Sequence, residues 1–150
     1  MPLTIRTATV ADLDAVAPLF DLYRQFFAGK AELERSREFL GERLEKNESV
    51  VLAAFDGESC AGFLQLYPLF SSWYCKRQWF LSDLYVAEAF RARGIGRKLV
   101  DACIDFAKHV DSRSILVEIP FSEPHLVKFY TELNFAKDDV FELYRCKLEG

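Results

Sequence analysis

The sequence predicts a mixed α/β fold: a mostly antiparallel sheet with helices on both faces. Three observations predict it. Two apolar runs of strand length flank Asp56-Gly57, a tight-turn signal. Ile95, Leu99, Ala102, Cys103, Phe106 and Val110 form a stripe of helical period between two further strand-like runs. The element order is then β, α, α, β-β-β, α, β, α, β, with antiparallel strands first and a βαβ part after them.

Each element has a local cause. Residues 3–7 alternate apolar and polar, as a half-buried strand does. Thr9-Val10-Ala11-Asp12 resembles a capping box and predicts a helix start. Leu13, Val16, Phe20, Tyr23 and Phe27 continue it at helical spacing. Pro18 falls inside this pattern, where it removes a backbone hydrogen bond at about 3 kcal/mol and predicts a kink. Residues 31–46 form a second, highly charged helix on Leu33, Phe39, Leu40 and Leu44. Strands are expected over 50–55, 60–70 and 79–86, and a helix over 94–110 with Arg97, Lys98, Asp101, Asp105 and Lys108 on its polar side. A short strand over 114–119 and a helix over 124–133 follow; proline early in that helix loses no bond. Residues 141–148 read as a closing strand.

Composition bounds the function. The 150 residues suffice for one domain, 1–150, and 51% of them are hydrophobic, which excludes a disordered chain. The net charge of −4 gives no whole-molecule attraction to nucleic acid. Cys60, Cys75, Cys103 and Cys146 form no C-x-x-C pair, and neither histidine stands in metal-ligand spacing to them. They read as reduced thiols, and no metal is expected. The start, Met1-Pro2-Leu3-Thr4-Ile5-Arg6, has no signal-peptide pattern, and no apolar run approaches the roughly 20 residues that span a bilayer. A cytoplasmic protein that does not associate with membranes is the expectation.

The informative segment is Leu84-Tyr85-Val86-Ala87-Glu88-Ala89-Phe90-Arg91-Ala92-Arg93-Gly94-Ile95-Gly96-Arg97-Lys98. A strand ends, a loop follows and a strong helix begins. Glycine lets a backbone approach a ligand closely. The first amides of a helix lack helical acceptors, and its dipole adds partial positive charge there. With Arg91, Arg93, Arg97 and Lys98 around it, this start suits a phosphate or diphosphate. A Walker loop is excluded because Arg97-Lys98, not Lys-Ser or Lys-Thr, follows Gly96. A Rossmann fingerprint is excluded because Leu99 stands where its third glycine belongs. The alternative is a basic loop that only caps a helix.

Arg91-x-x-Gly94-x-Gly96 between a strand and a helix resembles the acetyl-CoA motif of the GNAT family of N-acetyltransferases. Ile5-Arg6-x-Ala8-x-x-x-Asp12 is similar to that family's usual opening, and Phe129-Tyr130-Thr131-Glu132-Leu133-Asn134-Phe135 resembles its later motif. Phe70-Ser71-Ser72-Trp73 and Leu81-Ser82-Asp83-Leu84-Tyr85-Val86 look like the polyamine and thialysine branch. The resemblance implies a single GNAT-like domain with acetyl-CoA as acetyl donor. It implies that backbone amides of Arg91, Ala92, Arg93, Gly94, Ile95, Gly96 and Arg97 hold the diphosphate. Pantetheine would pair along the strand edge at Leu84, Tyr85 and Val86, splayed from residues 114–119. An amide near Val86 would polarise the thioester carbonyl, and Tyr130 would protonate the departing thiolate. Tyr130 also reads as packing beside Phe129.

This chain departs from the family at three positions. Glu123 stands where Asn is frequent, Leu126 where Ala is usual, and Asn134 where Gly is usual. Asn tolerates left-handed backbone, so the last is mild. In the polyamine branch the dipeptide before Leu-Tyr-Val is doubly acidic, whereas here it is Ser82-Asp83. Asp83 reads either as the base or amine-attracting charge, or as a carboxylate bonded within its strand's surroundings. Glu118 is the second candidate base. Phe26, Phe27, Tyr67, Phe70, Trp73 and Tyr74 are candidates to line the acceptor pocket, although aromatics usually fill a core.

The expected activity is acetyl transfer to a primary amine of a small metabolite, such as a polyamine or an amino acid, by direct attack in a ternary complex. Acetylation of a protein N-terminus or lysine is the alternative within this class, and a non-catalytic acyl-CoA sensor is the alternative outside it. A homodimer is the expected assembly, with no nucleic-acid or membrane partner.

Overall fold

Strand β1 (Leu3–Thr7) runs directly into a helix start. In this computed structural model, which describes residues 2–149, the capping box forms as the sequence predicts. The Thr9 hydroxyl accepts from the Ala11 amide at 3.3 Å, and the Thr9 amide donates to Asp12 Oδ2 at 2.8 Å. Arg6 donates to both Asp12 oxygens at 2.8 Å, and its guanidinium holds that carboxyl down at about 2. A 3₁₀ turn over Val10–Asp12 leads into α1 (Leu13–Ala28), which keeps Pro18 inside one unbroken helix. Helix α2 (Leu33–Glu45) follows. Buried Asp21 ties the corner between them, accepting from Ser36 Oγ at 2.6 Å, Gln25 Nε2 at 2.9 Å and the Glu32 amide at 3.1 Å. Burial pushes its carboxyl up, and these donors more than offset that.

Strands β2 (Val50–Asp56), β3 (Ser59–Ser71), β4 (Lys76–Val86) and β5 (Ser112–Val117) complete a five-stranded sheet in the order β1-β2-β3-β4-β5. The Gly57-Glu58 loop joins β2 to β3, with Gly57 at φ 63°, the left-handed geometry such a tight hairpin needs. The first three pairings are antiparallel, and β4–β5 is parallel across helix α3 (Ile95–His109). The sheet is therefore mixed and mostly antiparallel, as predicted.

Alternation along β3 sends its neighbours to opposite faces. Phe63 meets the rings of Phe20 and Tyr23 on α1, within a core that includes Val16, Leu40, Val51 and Ala53. On the other face, Leu99 of α3 lies so close to Gly62 that a Cβ there would sit 3.3 Å from its methyl, and Trp79 of β4 meets Phe106 of α3 with ring centroids 5.3 Å apart. Helices cover both faces.

One irregularity dominates β4. Leu66 pairs with Leu81, but Gln65 pairs with Asp83, so Ser82 is an extra residue, a β-bulge. A bulge reverses the alternation beyond it. Trp79 and Leu81 face α3, whereas Asp83 and Tyr85, also odd-numbered, share the α1 face with Gln65 and Phe63. The parallel pairing to β5 ends at the same place, with Leu81 opposite Val117.

The contacts of the chain divide it into two compact units, one up to Glu118 and one from Ile119. The second contains α4 (His125–Glu132), preceded by Pro124. Tyr130 packs its ring against Phe129 and Phe135 at 5.0 and 5.2 Å. Asn134 takes φ 68°, and the Phe135 amide donates to the Tyr130 carbonyl at 3.0 Å. The closing strand expected over 141–148 does not form: those residues carry no ladder and are exposed. Apolar alternation needs a neighbouring strand to satisfy its amides and carbonyls, and this unit has none among its described residues.

Phe63 is fully buried between α1 rings. Phe63→Ala should cost about 3–5 kcal/mol of stability, read as a fall in the urea midpoint at unchanged slope.

Candidate active site

After β4, the Ala87 amide donates to the Ala61 carbonyl at 2.8 Å, toward β3. Backbone groups alternate sides along a strand. Those of Leu84 and Val86 therefore point away from β3, to the edge where β5 no longer pairs. Arg91 Nε donates to the Val86 carbonyl at 3.0 Å, which fits that direction, and its guanidinium lies 5.4 Å from the Tyr85 ring centroid. Arg91 thus fastens the loop back onto the strand end. The Leu84 backbone and the Val86 amide lie on the same open edge. The Tyr85 backbone faces β3, and its ring packs against the α1-face core.

A 3₁₀ turn over Glu88–Phe90 carries the chain to α3. Ala92 has φ 65°, and Gly94, the residue capping α3, has φ 72°. The first helical bond runs from the Lys98 amide to the Gly94 carbonyl at 3.1 Å, so the amides of Ile95 and Gly96 lie outside the helical ladder. No side chain caps this end, and its first turn holds no acid. Nothing lies within 4 Å of where a Gly94 Cβ would be. Ala92, Arg93, Gly94, Arg97 and Lys98 are exposed. Arg93 stacks on Phe90 at 5.3 Å and approaches Asp56 at 3.9 Å. Exposed amides, a helix dipole and open space suit a bound diphosphate.

On the opposite side of the same strand, Asp83 is only 5% exposed. It accepts from Gln65 Nε2, and from Ser82 Oγ at 2.9 Å. Ser49 Oγ donates to Gln65 Oε1 at 2.8 Å. The Tyr23 hydroxyl donates to the Ser82 carbonyl, in the bulge, at 3.0 Å. Burial pushes the Asp83 carboxyl up, against the donors on it. Burial also pushes the Tyr67 hydroxyl up to about 12, and the Asp83 charge adds to this. A carboxyl raised above its ordinary range is a stronger proton acceptor than a free one.

The aromatics proposed for an acceptor pocket are not core. Phe70 and Trp73 are 72% and 71% exposed, and Phe26, Phe27 and Tyr74 are exposed as well. Tyr67 is half-buried. Phe27 packs on Tyr23 at 5.2 Å and on Phe26 at 4.9 Å, so these rings line one flank of α1.

Comparison with known proteins bears on this geometry. A family model described as the acetyltransferase (GNAT) family matches residues 16–135. The chain belongs to the GNAT acetyltransferase family. The uncharacterized N-acetyltransferase YhfO of Bacillus subtilis (strain 168) is 34% identical over 95% of each chain. A probable acetyltransferase of Haemophilus influenzae (strain ATCC 51907 / DSM 11121 / KW20 / Rd) is 29% identical, covering 88% of this chain and 91% of its own. A crystal structure of a probable acetyltransferase superposes with a TM-score of 0.92 at 35% identity, covering 98% of this chain and 99% of that one. As a GNAT enzyme this chain is an acyltransferase, and acetyl-CoA is the donor its fold implies. Among the described residues no helix is long and apolar enough to cross a membrane.

The structure brings Tyr85, Val86 and Arg91 together, and sets residues 92–97 at the head of α3. Asp83 lies on the other side of β4 from α3, and Glu118 just beyond the end of β5. Tyr130 and Glu123 both lie in the second unit, Glu123 3.5 Å from His125 Nδ1. Sequence reading missed Gln65, Ser49 and Tyr23. A glutamine inside the apolar run Phe63-Leu64-Gln65-Leu66 is the one signal that pointed to a buried polar partner.

Gly94→Ala should destabilise the protein by about 1–2 kcal/mol from left-handed backbone strain alone, because its surroundings are open. Denaturant titration of the free protein checks this.

Proposed function

We propose that this GNAT enzyme binds acetyl-CoA along the open edge of β4 and the head of α3, and passes the acetyl group directly to a primary amine of a small metabolite, such as a polyamine or an amino acid. The observation that carries the reading is the end of β4–β5 pairing at Leu81 and Val117, which leaves the edge from Ser82 to Val86 leading straight to an acid-free helix start. In this reading residues 1–150 act as one N-acetyltransferase domain, cytoplasmic and paired as a homodimer.

Acetyl-CoA supplies an acyl group on a good leaving thiolate. The amides at residues 91–97, Ile95 and Gly96 foremost, hold the diphosphate, while Arg91 anchors the loop to Val86. The Leu84 backbone groups pair with pantetheine as an added strand would. The Val86 amide faces the same edge and stabilises the oxygen on which charge develops. Asp83 attracts the ammonium form of the acceptor from the α1 side and takes its proton, directly or through water. The Ser82 hydroxyl donates to the Asp83 carboxylate and can turn to accept from the protonated acid. Tyr130, on the motif it shares with the family, protonates the departing thiolate. No enzyme nucleophile is needed. Burial pushes the thiols of Cys60 and Cys103 up to about 11 and 12, so both stay protonated.

Asp83→Asn should lower kcat by about 10²–10⁴-fold and abolish the acid limb of the pH profile. That limb should lie above the ordinary carboxylate range, because burial raises the carboxyl and only its ionised form accepts the proton. Tyr130→Phe should lose turnover while keeping acetyl-CoA affinity. Free-thiol release across an amine panel, with acetyl-CoA thermal shifts as the binding control, checks both. An acetyl-CoA shift of about 2.7 kcal/mol at 100 times Kd, with no thiol release from any amine, would favour a sensor instead. Release only with protein or peptide amines would move the acceptor to that class.

A further inference from the structure

We propose that Gln65 is a positioning residue for acyl transfer, orienting the Asp83 carboxylate through its side-chain amide while Ser49 holds that amide in the productive direction. The inference rests on the reading of Asp83 as the acceptor-side base.

Gln65 is fully buried on β3, opposite Asp83 in the antiparallel register. An ionised carboxylate only accepts hydrogen bonds, so it requires the NH₂ end of Gln65. The Gln65 carbonyl then needs a donor, and Ser49 Oγ supplies one at 2.8 Å. No buried side-chain nitrogen or oxygen is left without a partner among the described residues. The chain Ser49–Gln65–Asp83 therefore has one consistent polarity. It also crosses the bulge register. Only because Ser82 is inserted does Asp83, rather than a neighbour, stand opposite Gln65 on the α1 face. A free carboxylate would rotate about its side-chain torsions. Here one oxygen is taken by Gln65 and the other by Ser82 Oγ, which leaves one orientation for the remaining lone pairs.

The surrounding groups do not replace this hold. Tyr23 of α1 gives its hydroxyl to the Ser82 carbonyl at 3.0 Å, and the same hydroxyl also lowers the Asp83 carboxyl from the helix side without fixing it across the sheet. Tyr67 of β3 is kept protonated, and Arg43 of α2 acts on Tyr67. Gln65 reaches Asp83 from the neighbouring strand, and with Ser82 it holds the two carboxylate oxygens.

Gln65→Met keeps the volume and removes the amide. Its kcat should fall on the order of tenfold to a hundredfold, as small displacements of a reacting group do, with acetyl-CoA binding unchanged. The acid limb should move to higher pH, because the ionised carboxylate has lost a donor while staying buried. Gln65→Glu should move the limb further up, since two adjacent carboxyls resist ionising together. Ser49→Ala leaves Asp83 and its contacts in place and frees only the far end of Gln65. It should move kcat and the limb the same way by less, and it decides the matter if the Gln65 variants do not fold. An unmoved limb and unchanged kcat in both Gln65→Met and Ser49→Ala, beside an Asp83→Asn enzyme that has lost the limb, would overturn the positioning role and leave the base in place. An Asp83→Asn enzyme that retains the limb would remove the base, and this inference with it.

Discussion

One inserted residue in β4 governs the geometry of the site. A regular strand would send residues 79, 81, 83 and 85 to one face. The bulge at Ser82 turns Asp83 and Tyr85 to the α1 side and leaves Trp79 and Leu81 packed toward α3. The same place ends the pairing with β5, which opens the backbone beyond it. A buried acid and an exposed edge thus have a common origin. Tyr23 gives its hydroxyl to the bulged carbonyl, and its ring sits against Phe20, Phe27 and Phe63, so the irregularity is held by the core.

The polar groups on the α1 face follow from that placement. A carboxylate carried into an apolar core by a register change needs donors, or it gives up its charge. Gln65 and Ser82 supply them, and Ser49 satisfies Gln65 in turn. Burial still wins against these donors, and the Asp83 carboxyl lies above its ordinary range. Asp21 shows the other outcome. It is also nearly inaccessible, but its donors and the charge of nearby Arg24 outweigh burial, and its carboxyl lies below the ordinary range. Asp21 joins two helices with its charge favoured, whereas the charge of Asp83 is disfavoured by burial, which suits the base role proposed for it.

The sequence made most of the elements readable because their signals are local. The Thr9 to Asp12 capping box, the Gly57 turn and the α3 stripe each depend on residues within a turn or two of one another. The strand–loop–helix passage into α3 was equally readable, since glycine spacing and strand-to-helix order fall in one short segment. The bulge was not, because the extra residue is defined only against β3, whose partners lie many residues away. Gln65 and Ser49 were missed for the same reason: their pairing with Asp83 is tertiary. The strand expected over 141–148 failed in the opposite way, since its alternation is present but its own unit has no other strand among the described residues. The exposed rings of Phe70 and Trp73 also ran against composition, which assigns aromatics to a core.

Beyond the bulge, β4 keeps two kinds of chemistry apart. The backbone of its even residues, Leu84 and Val86, faces the open edge, and the side chains of its odd residues, Asp83 and Tyr85, face α1. In the proposed reading the donor is held by main-chain amides, which no substitution at Leu84 or Val86 short of proline removes. The acceptor side depends on side chains, which substitution changes freely. A chain of net charge −4 can hold a polyanion on these terms, because the attraction comes from unpaired amides and a helix dipole at one point and not from the protein's overall field. Donor binding is then insensitive to changes elsewhere on the surface. On the same reading, acceptor choice is set by the few groups around Asp83, and substitution there leaves the edge undisturbed.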